Sequence, residues 1–473
     1  MGLTMNRTGS VIFTSVAVLL AACVGSTAVA GIQGSGKQSM VAFGRVTGFG
    51  SVFVNGVEYS TTGAQILIDG HDATESQLNT GDVVTIQGTV NDDGITGTAT
   101  QVSFTGNVRG PITGIGLMGN GFTVLGQSVL TNASTIFGDG SQPPKVGAIV
   151  EVSGLPDGLG NIVASRVDLK PAASDFQVVG VVNWLDTNAH TFQINNLTID
   201  YGAAAGTVAL ANGSTVEVHG ANLTANGALL ATDLEAVPAI AGVAGEQADL
   251  EGVITGLTSL TNLLSSLVGF ILDGQQVTID STTALVLHGL TLAPGVAVDV
   301  QGEFDASGTL HARKIEVLPL SLGLLGGLID SITPMNNTMS VLGVNIKTGS
   351  STVLNDRSSQ PVRQFRLTDL HVGDYVEVAG SPTGASVLTT SRVERRNIRP
   401  QSILRGIAHN LTQPDFTVLG VTVATTAQTQ FTGPGGVARA AADFFAQAAD
   451  HIVEVKGTYS GGVLTAESAH IER

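Results

Sequence analysis

Six times along this chain a pair of β-branched residues is followed by glycine in the pattern V-x-V/I-x-G. The copies are Val84-Ile86-Gly88, Val150-Val152-Gly154, Val216-Val218-Gly220, Val298-Val300-Gly302, Val376-Val378-Gly380 and Val453-Val455-Gly457. Successive anchor glycines lie 66, 66, 82, 78 and 77 residues apart. Repetition at this spacing means that one small unit has to fold the same way six times, so the repeat defines the folding unit before any single motif is read.

Each anchor has companions. About forty residues upstream an apolar stretch surrounds one glycine: Gly44, Gly110, Gly180, Gly252, Gly327 or Gly406. A second element follows with apolar residues two apart and a turn: Val52/Val54, Phe122/Val124, Phe192/Ile194, Phe270/Leu272, Met339/Val341 and Phe416/Val418. Period-two spacing puts both side chains on one face of a strand. Asn55-Gly56, Asn195-Asn196 and Asp273-Gly274 tolerate the positive φ of a two-residue hairpin. Leu125-Gly126, Leu342-Gly343 and Leu419-Gly420 fit that turn less well, and a different turn type is expected there.

Downstream of the anchor a polar turn leads to a last strand, marked by Ala99-x-x-Val102, Ala164-x-x-Val167, Ala231-x-x-Leu234, Ala312-x-x-Ile315, Thr390-x-x-Val393 and, in the sixth copy, Ile471. A short segment such as Leu78–Asp82 or Leu367–Asp374 precedes several anchors, and in the last copy it lengthens to Val437–Asp450, rich in alanine and good helix formers. The order strand, strand, strand, short helix or turn, strand, strand is that of an OB-type five-stranded barrel, with a glycine that lets the first strand bend. The fold expected is therefore all-β: a tandem array of about six small OB-like barrels with short helical inserts. The repeats run over 41–107, 108–174, 175–242, 243–320, 321–400 and 401–473. A module this small is marginal alone, burying only about 60% of its unfolded surface, so packing between neighbours is expected to add stability. Two leucine-rich inserts, Leu257–Leu267 and Leu318–Leu328, read as an amphipathic helix or strand over a seam between modules; both are too short to span a membrane.

The N-terminus carries an address. Arg7 is the one charged residue before the apolar run Val11–Ala22, which is the layout of a secretory signal peptide over residues 1–22. It ends in Leu20-Ala21-Ala22-Cys23, and Cys23 is the only cysteine in the chain. These four residues resemble the lipobox of bacterial lipoproteins. The resemblance implies cleavage before Cys23, lipid attached to its sulfur, and residues 23–40 as anchor and linker. Val24 is not the aspartate linked to inner-membrane retention, so the same rule points to the outer membrane. The alternative is a secreted soluble protein cut after Ala28-Val29-Ala30. In either case no disulfide or thiolate metal site remains.

Composition separates the function classes. Loss of Arg7 with the signal leaves 20 basic against 38 acidic residues, a net charge of −18. OB barrels often bind nucleic acid, but a phosphate backbone is held by Lys and Arg that release counterions, and single-strand binders add stacked aromatics. Only 4% of residues here are aromatic, and Phe122, Phe192, Phe270 and Phe416 occupy the inward phase of the hairpin. Phe53, out of phase, and Trp184, the lone tryptophan, are the candidates for a solvent-facing contact. Arg392, Arg395, Arg396 and Arg399, with Glu394 among them, form the one basic run; contact with acidic neighbouring modules at the fifth-to-sixth junction is its expected role. No nucleic-acid partner is expected.

Catalytic constellations are not found. The nine histidines fall in no common repeat position, and H-E-x-x-H, G-x-S-x-G and glycine-rich phosphate loops are missing from the sequence. His451 and Glu454 point to opposite faces of a strand, Asp69-Gly70-His71-Asp72 reads as a polar turn, and Asn91-Asp92-Asp93-Gly94 lacks the ligand count of a calcium loop. No catalytic residue, metal or cofactor is assigned.

Phe43 to Tyr59, then Gly81 to Gly88, with Val108-Arg109-Gly110-Pro111-Ile112 opening the second copy, resemble the bacterial domain-of-unknown-function family numbered 5666. The resemblance is specific over the first two repeats and looser over the other four. It implies tandem small β-barrels in exported bacterial proteins and brings no site residues. The expected function is a non-enzymatic cell-envelope lipoprotein at the outer membrane or in the periplasm, a scaffold or ligand-binding string of barrels joined to the membrane through its lipid. A polysaccharide-binding envelope protein is the alternative, a protein partner is also compatible, and a secreted hydrolase is a distant third.

Overall fold

The computed structural model describes residues 38–472 apart from 117–120, 139–144, 172–174, 206–207, 238–239, 241, 263–264, 288–289, 319–322 and 434–436, and not the side chains of 259–268. The apolar run, Cys23 and the linker to residue 37 lie outside the described residues.

The first repeat shows how each unit closes. Its first strand, Gln38–Gly48, pairs antiparallel with both Val52–Val54 and Val83–Val90. Val52–Val54 turns back into Val57–Ser60, which runs parallel to Thr96–Phe104, and that last strand returns to Val83–Val90. The cycle first-second-third-fifth-fourth is the OB order expected from the repeat. It closes again in repeats 2, 4, 5 and 6. In repeat 3 the first strand is interrupted, Phe176–Val181 taking the fourth strand and Asn183–Asp186 the second. All six leading anchor valines, Val84, Val150, Val216, Val298, Val376 and Val453, are fully buried.

The anchor glycines have a steric cause that the sequence pattern alone does not reveal. Each stands at a bulge where the fourth and fifth strands shift register. A Cβ would lie 2.3 Å from the Thr98 carbonyl oxygen at Gly88, 2.4 Å from Val163 at Gly154 and 2.0 Å from Thr465 at Gly457. Those acceptors are backbone atoms and cannot swing away. Opposite the bulge, the third strand is broken in two, and four repeats bridge the break with one buried or half-buried threonine. Thr135, Thr283, Thr352 and Thr429 each donate through Oγ1 to the carbonyl of Ala164, Ala312, Thr390 or Ala466, at 2.7–2.8 Å. The same oxygen accepts the amide three residues earlier in every case.

The hairpin turns depart from expectation. Leu125, Leu342 and Leu419 have φ of 46°, 54° and 49°, as Asn55 does at 50°, so the leucine turns have the same left-handed first residue. Burial offsets the strain of that φ: these leucines lie over the first-strand glycine, where a Cβ on Gly110 would stand 2.6 Å from Leu125 Cγ.

The six barrels do not hang as independent beads. First strands of different repeats pair, joining the units two by two. Repeats 2 and 3 join through Val108–Arg109 against Gln177–Val178, and repeats 5 and 6 through Leu324–Gly326 against Ile403–Arg405. Repeat 1 passes over its sequence neighbours and joins repeat 4, Met40–Phe43 running parallel to Gln247–Leu250. The cores of repeats 2 and 3 are one hydrophobic cluster, as are those of 5 and 6, whereas 1 and 4 keep separate cores. A small cluster of Val83, Leu155 and Val253 ties repeats 1, 2 and 4 together. The leucine inserts are strand rather than helix: the first lengthens a hairpin, Gln247–Asn262 against Ser265–Leu272, and the second enters Gly323–Thr333. Leu257 and Leu328 are exposed. The expected helix in the sixth repeat is Ala441–Gln447, whose Phe444 packs on Phe431 and Phe416.

Candidate functional site

The basic run Arg392–Arg399 lies on and just after the last strand of repeat 5, Val387–Arg396, and it is not a free cationic stripe. Glu394, almost fully buried, takes Arg392 at 2.9 Å and Arg396 more closely still. Glu377 takes Arg396 at 3.1 Å and Arg399 at 2.8 Å, and Asp356 takes Arg395, whose guanidinium also stacks over Phe365. Burial on its own pushes the Glu394 carboxyl up; Arg392, Arg396 and Arg357 outweigh it and hold the group below its ordinary value. The expected role is corrected here. The carboxylates all belong to repeat 5 itself, and what a neighbour contributes is backbone, the Arg392 Nη2 donating to the carbonyl of Ala133 in repeat 2 at 2.7 Å. Pairing within the module neutralises the run and leaves an N–H of Arg392 for the neighbouring carbonyl.

Repeats 1, 2 and 5 meet beside this network around a cleft of about 590 Å³. Four arginines line it: Arg166 from repeat 2, and Arg357, Arg363 and Arg396 from repeat 5. Arg166 is held by Asp168 at 2.6 Å and donates to the Thr80 carbonyl. Arg357 donates to the Gly138 carbonyl at 3.1 Å, and its nearest carboxylate, Glu394, is 3.7 Å away and already occupied. Arg363 donates to the carbonyls of Glu75 and Leu78 and stacks 3.9 Å above the buried ring of Phe49. Burial, then the like charges of Arg396, Arg166 and Arg392, hold the Arg357 guanidinium below its ordinary value even though Glu394 pulls the other way. Asn79, Thr80, Asn355 and Ser358 add amides and hydroxyls to the walls.

Of the residues singled out from sequence, only Arg396 reaches this cleft. Phe53 is half-buried in the second strand of repeat 1, opposite Gly48. Trp184 is 80% exposed on repeat 3, at a φ of 51°. Cys23 lies outside the described residues. Arg166, Arg357 and Arg363 were missed because each stands alone in sequence. Asp69 accepts Arg109 at 3.0 Å, His451 contacts the Ala449 carbonyl, and Asp93 caps the amides of Ile95 and Thr96, so the acidic turns are bound up with their own protein. Among the described residues no group of three His, Cys, Asp or Glu has metal-binding geometry, and no helix is long and apolar enough to cross a membrane.

Other buried charges lie at seams. Asp82 of repeat 1 stands 3.7 Å from Arg166 of repeat 2, and burial pushes its carboxyl up to about 7 against that attraction. His219 is raised to about 9, chiefly by Glu217 and also by Asp175, with burial opposing. At the seam of repeats 1 and 4, Asp249 and Asp299 share a hydrogen bond; burial raises both, and for Asp299 the Asp249 charge adds to it.

An all-β array of OB-like barrels, fused in pairs and carrying an arginine-lined cleft where three of them meet, is thus the class of protein in hand. Comparison with known families makes the assignment specific: the chain belongs to the family described as Domain of unknown function (DUF5666), matched six times, at 43–103, 109–168, 172–235, 251–316, 326–394 and 405–469. No curated protein matches it.

Proposed function

We propose that this chain is a non-enzymatic, exported bacterial envelope protein, anchored through lipid on Cys23 at the outer membrane or facing the periplasm. Its barrels serve as a rigid ligand-binding body. The observation that carries the binding reading is the cleft, built by repeats far apart in sequence and held by hydrogen bonds from Arg357, Arg363 and Arg392 across the seams. Fused barrels keep those walls fixed, and a preorganised site loses less to ordering on binding. The leader Val11–Ala22 and Leu20-Ala21-Ala22-Cys23 support the address. Polysaccharide binding is the more specific form of this reading, favoured by the mixture of amides, hydroxyls and guanidinia in the walls.

The anchor is tested by labelling with a lipid precursor and fractionating cells. Wild-type protein is expected in the membrane fraction with label, and Cys23→Ser in the soluble periplasm or medium without it, because two or more acyl chains hold firmly where one is marginal. Unlabelled wild-type protein beginning at Gly31 would refute the anchor.

A further inference from the structure

The cleft between repeats 1, 2 and 5 has a charge opposite to that of the chain around it. In a protein of net charge −17, its lining carries four arginines and one carboxylate, Asp356, which Arg395 already engages. Arg363 has no carboxylate within ion-pair distance among the described residues, and Arg357 only an occupied one. Arg396, whose Nε is buried without a hydrogen-bond partner, closes the same wall. Arg363 is therefore left with backbone acceptors and Arg357 with a shared carboxylate, and both guanidinium groups line one cavity.

We propose that this cleft binds an acidic saccharide, with the carboxylate of a uronic-acid residue taken by Arg357 and Arg363 and the ring hydroxyls by Asn79, Asn355 and Ser358. Three observations fix the class. Planar guanidinium forks match a carboxylate in bidentate fashion. Amide and hydroxyl side chains suit a polyhydroxylated ring, and Pro361 and Val362 give it an apolar wall. The volume of about 590 Å³ falls inside the range of roughly 300–1,000 Å³ in which small-molecule sites occur. Burial first, and then the like charges of Arg396, Arg166 and Arg392, disfavour the charged form of Arg357, and an anion beside it acts against both. A neutral sugar satisfies the hydroxyl partners and offers the guanidinium groups no anion; a bare phosphate does the reverse. This rests on the ligand-binding reading above and names its ligand.

The test is titration calorimetry on the full mature chain with trigalacturonate, its methyl ester and inorganic phosphate as probes. Saturable binding of the acid is expected, at least tenfold tighter than of the ester or of phosphate. Arg357→Gln and Arg363→Gln should each weaken it tenfold or more, and Arg363→Lys, which keeps charge and loses the fork, by an intermediate factor. Arg313→Gln, an exposed ion-pair residue of repeat 4, should leave it unchanged. Since Arg357 is half-buried, thermal unfolding of each variant is measured beside it; Arg363, on the rim, carries the decision if Arg357→Gln unfolds. No saturable binding, equal binding of the ester, equal binding of phosphate, or indifference to Arg363→Gln would each overturn the assignment. None of these results touches lipid labelling of Cys23, so the envelope reading fails or stands separately.

Discussion

Gly154→Ala tests the steric origin of the repeat. The added Cβ would stand 2.4 Å from the Val163 carbonyl oxygen and 2.9 Å from Ala164 Cα, whereas ordinary contact begins at 3.4 Å. The fourth and fifth strands of repeat 2 therefore have to part by about 1 Å, with Val150 and Val152, just before Gly154 on the strand, already in a filled core. Overpacking of this kind costs about 1–3 kcal/mol, and Gly→Ala returns about 0.4–1 kcal/mol by stiffening the unfolded chain. The net loss is about 1–2 kcal/mol, roughly a 5–30-fold rise in the open population. Gly114, in the first strand of the same repeat, has nothing within 4 Å of its Cβ and an ordinary φ, so Gly114→Ala should be stabilising by about 0.4–1 kcal/mol. Hydrogen exchange of the amides in Ile149–Pro156 and Asn161–Leu169 reads both. Because repeats 2 and 3 share one core, exchange in repeat 3 should rise with it and exchange in repeats 5 and 6 should not. Equal effects of the two substitutions would refute the argument.

Raised carboxyl and imidazole values make the seams among repeats 1, 2 and 3 sensitive to alkali. The Asp82 contribution is complete below its ordinary 3.8 and lost as pH rises through about 7, and that of His219 is complete below 6.5 and lost through about 9. Protease resistance of these seams should fall progressively from about pH 4 to about pH 9, the Asp82 part ending near 7 and the His219 part near 9, and Asp82→Asn with His219→Gln should flatten the profile. The Glu394 network has the opposite sign: its contribution is present above 4.5 and is lost on acidification, so opening of the cleft wall in alkali before acid would be inconsistent with it. Thr352→Val strands the buried Thr390 carbonyl, an effect of about 1–3 kcal/mol, while the exposed Gly349 amide turns to water, and the loss should appear as a lower melting transition for repeats 5 and 6. No single- or double-stranded DNA binding is expected at physiological salt; salt-sensitive binding abolished by neutralising Arg392, Arg395, Arg396 and Arg399 would reverse that.

What was legible in sequence follows from local physics. Val84-x-Ile86-x-Gly88 and its copies reveal strand, face and order because period-two burial and a bulge glycine are local requirements repeated six times. The leucine turns were misread because propensity ranks Leu poorly at positive φ, and only the packing of Leu125 on Gly110 shows what compensates. Thr135, Thr283, Thr352 and Thr429 look like ordinary turn residues until the broken third strand is seen. The pairing of repeat 1 with repeat 4 had no signal at all, since six similar first strands present similar edges and the choice is made by tertiary fit. The cleft was invisible for the same reason: Arg166 and Arg363 are 197 residues apart, subtracting one number from the other, and only Arg396 belonged to a recognisable run.

The parallel pairing of repeats 1 and 4, which are not neighbours in sequence, is what most sets the fused body apart from a string of barrels, and one crosslink addresses it. Ser39 and Glu246 stand side by side at the start of the parallel ladder, Ser39 Oγ donating to Glu246 at 2.6 Å. Neighbouring strands lie about 4.8 Å apart, within the Cα separation of about 4.4–6.8 Å that a disulfide bridges. In a Cys23→Ser background, Ser39→Cys with Glu246→Cys should oxidise rapidly and completely within one molecule, at a rate independent of protein concentration. Cysteines that stay free under the same oxidant, or that join only between molecules, would contradict the pairing of repeats 1 and 4 and with it the fused architecture.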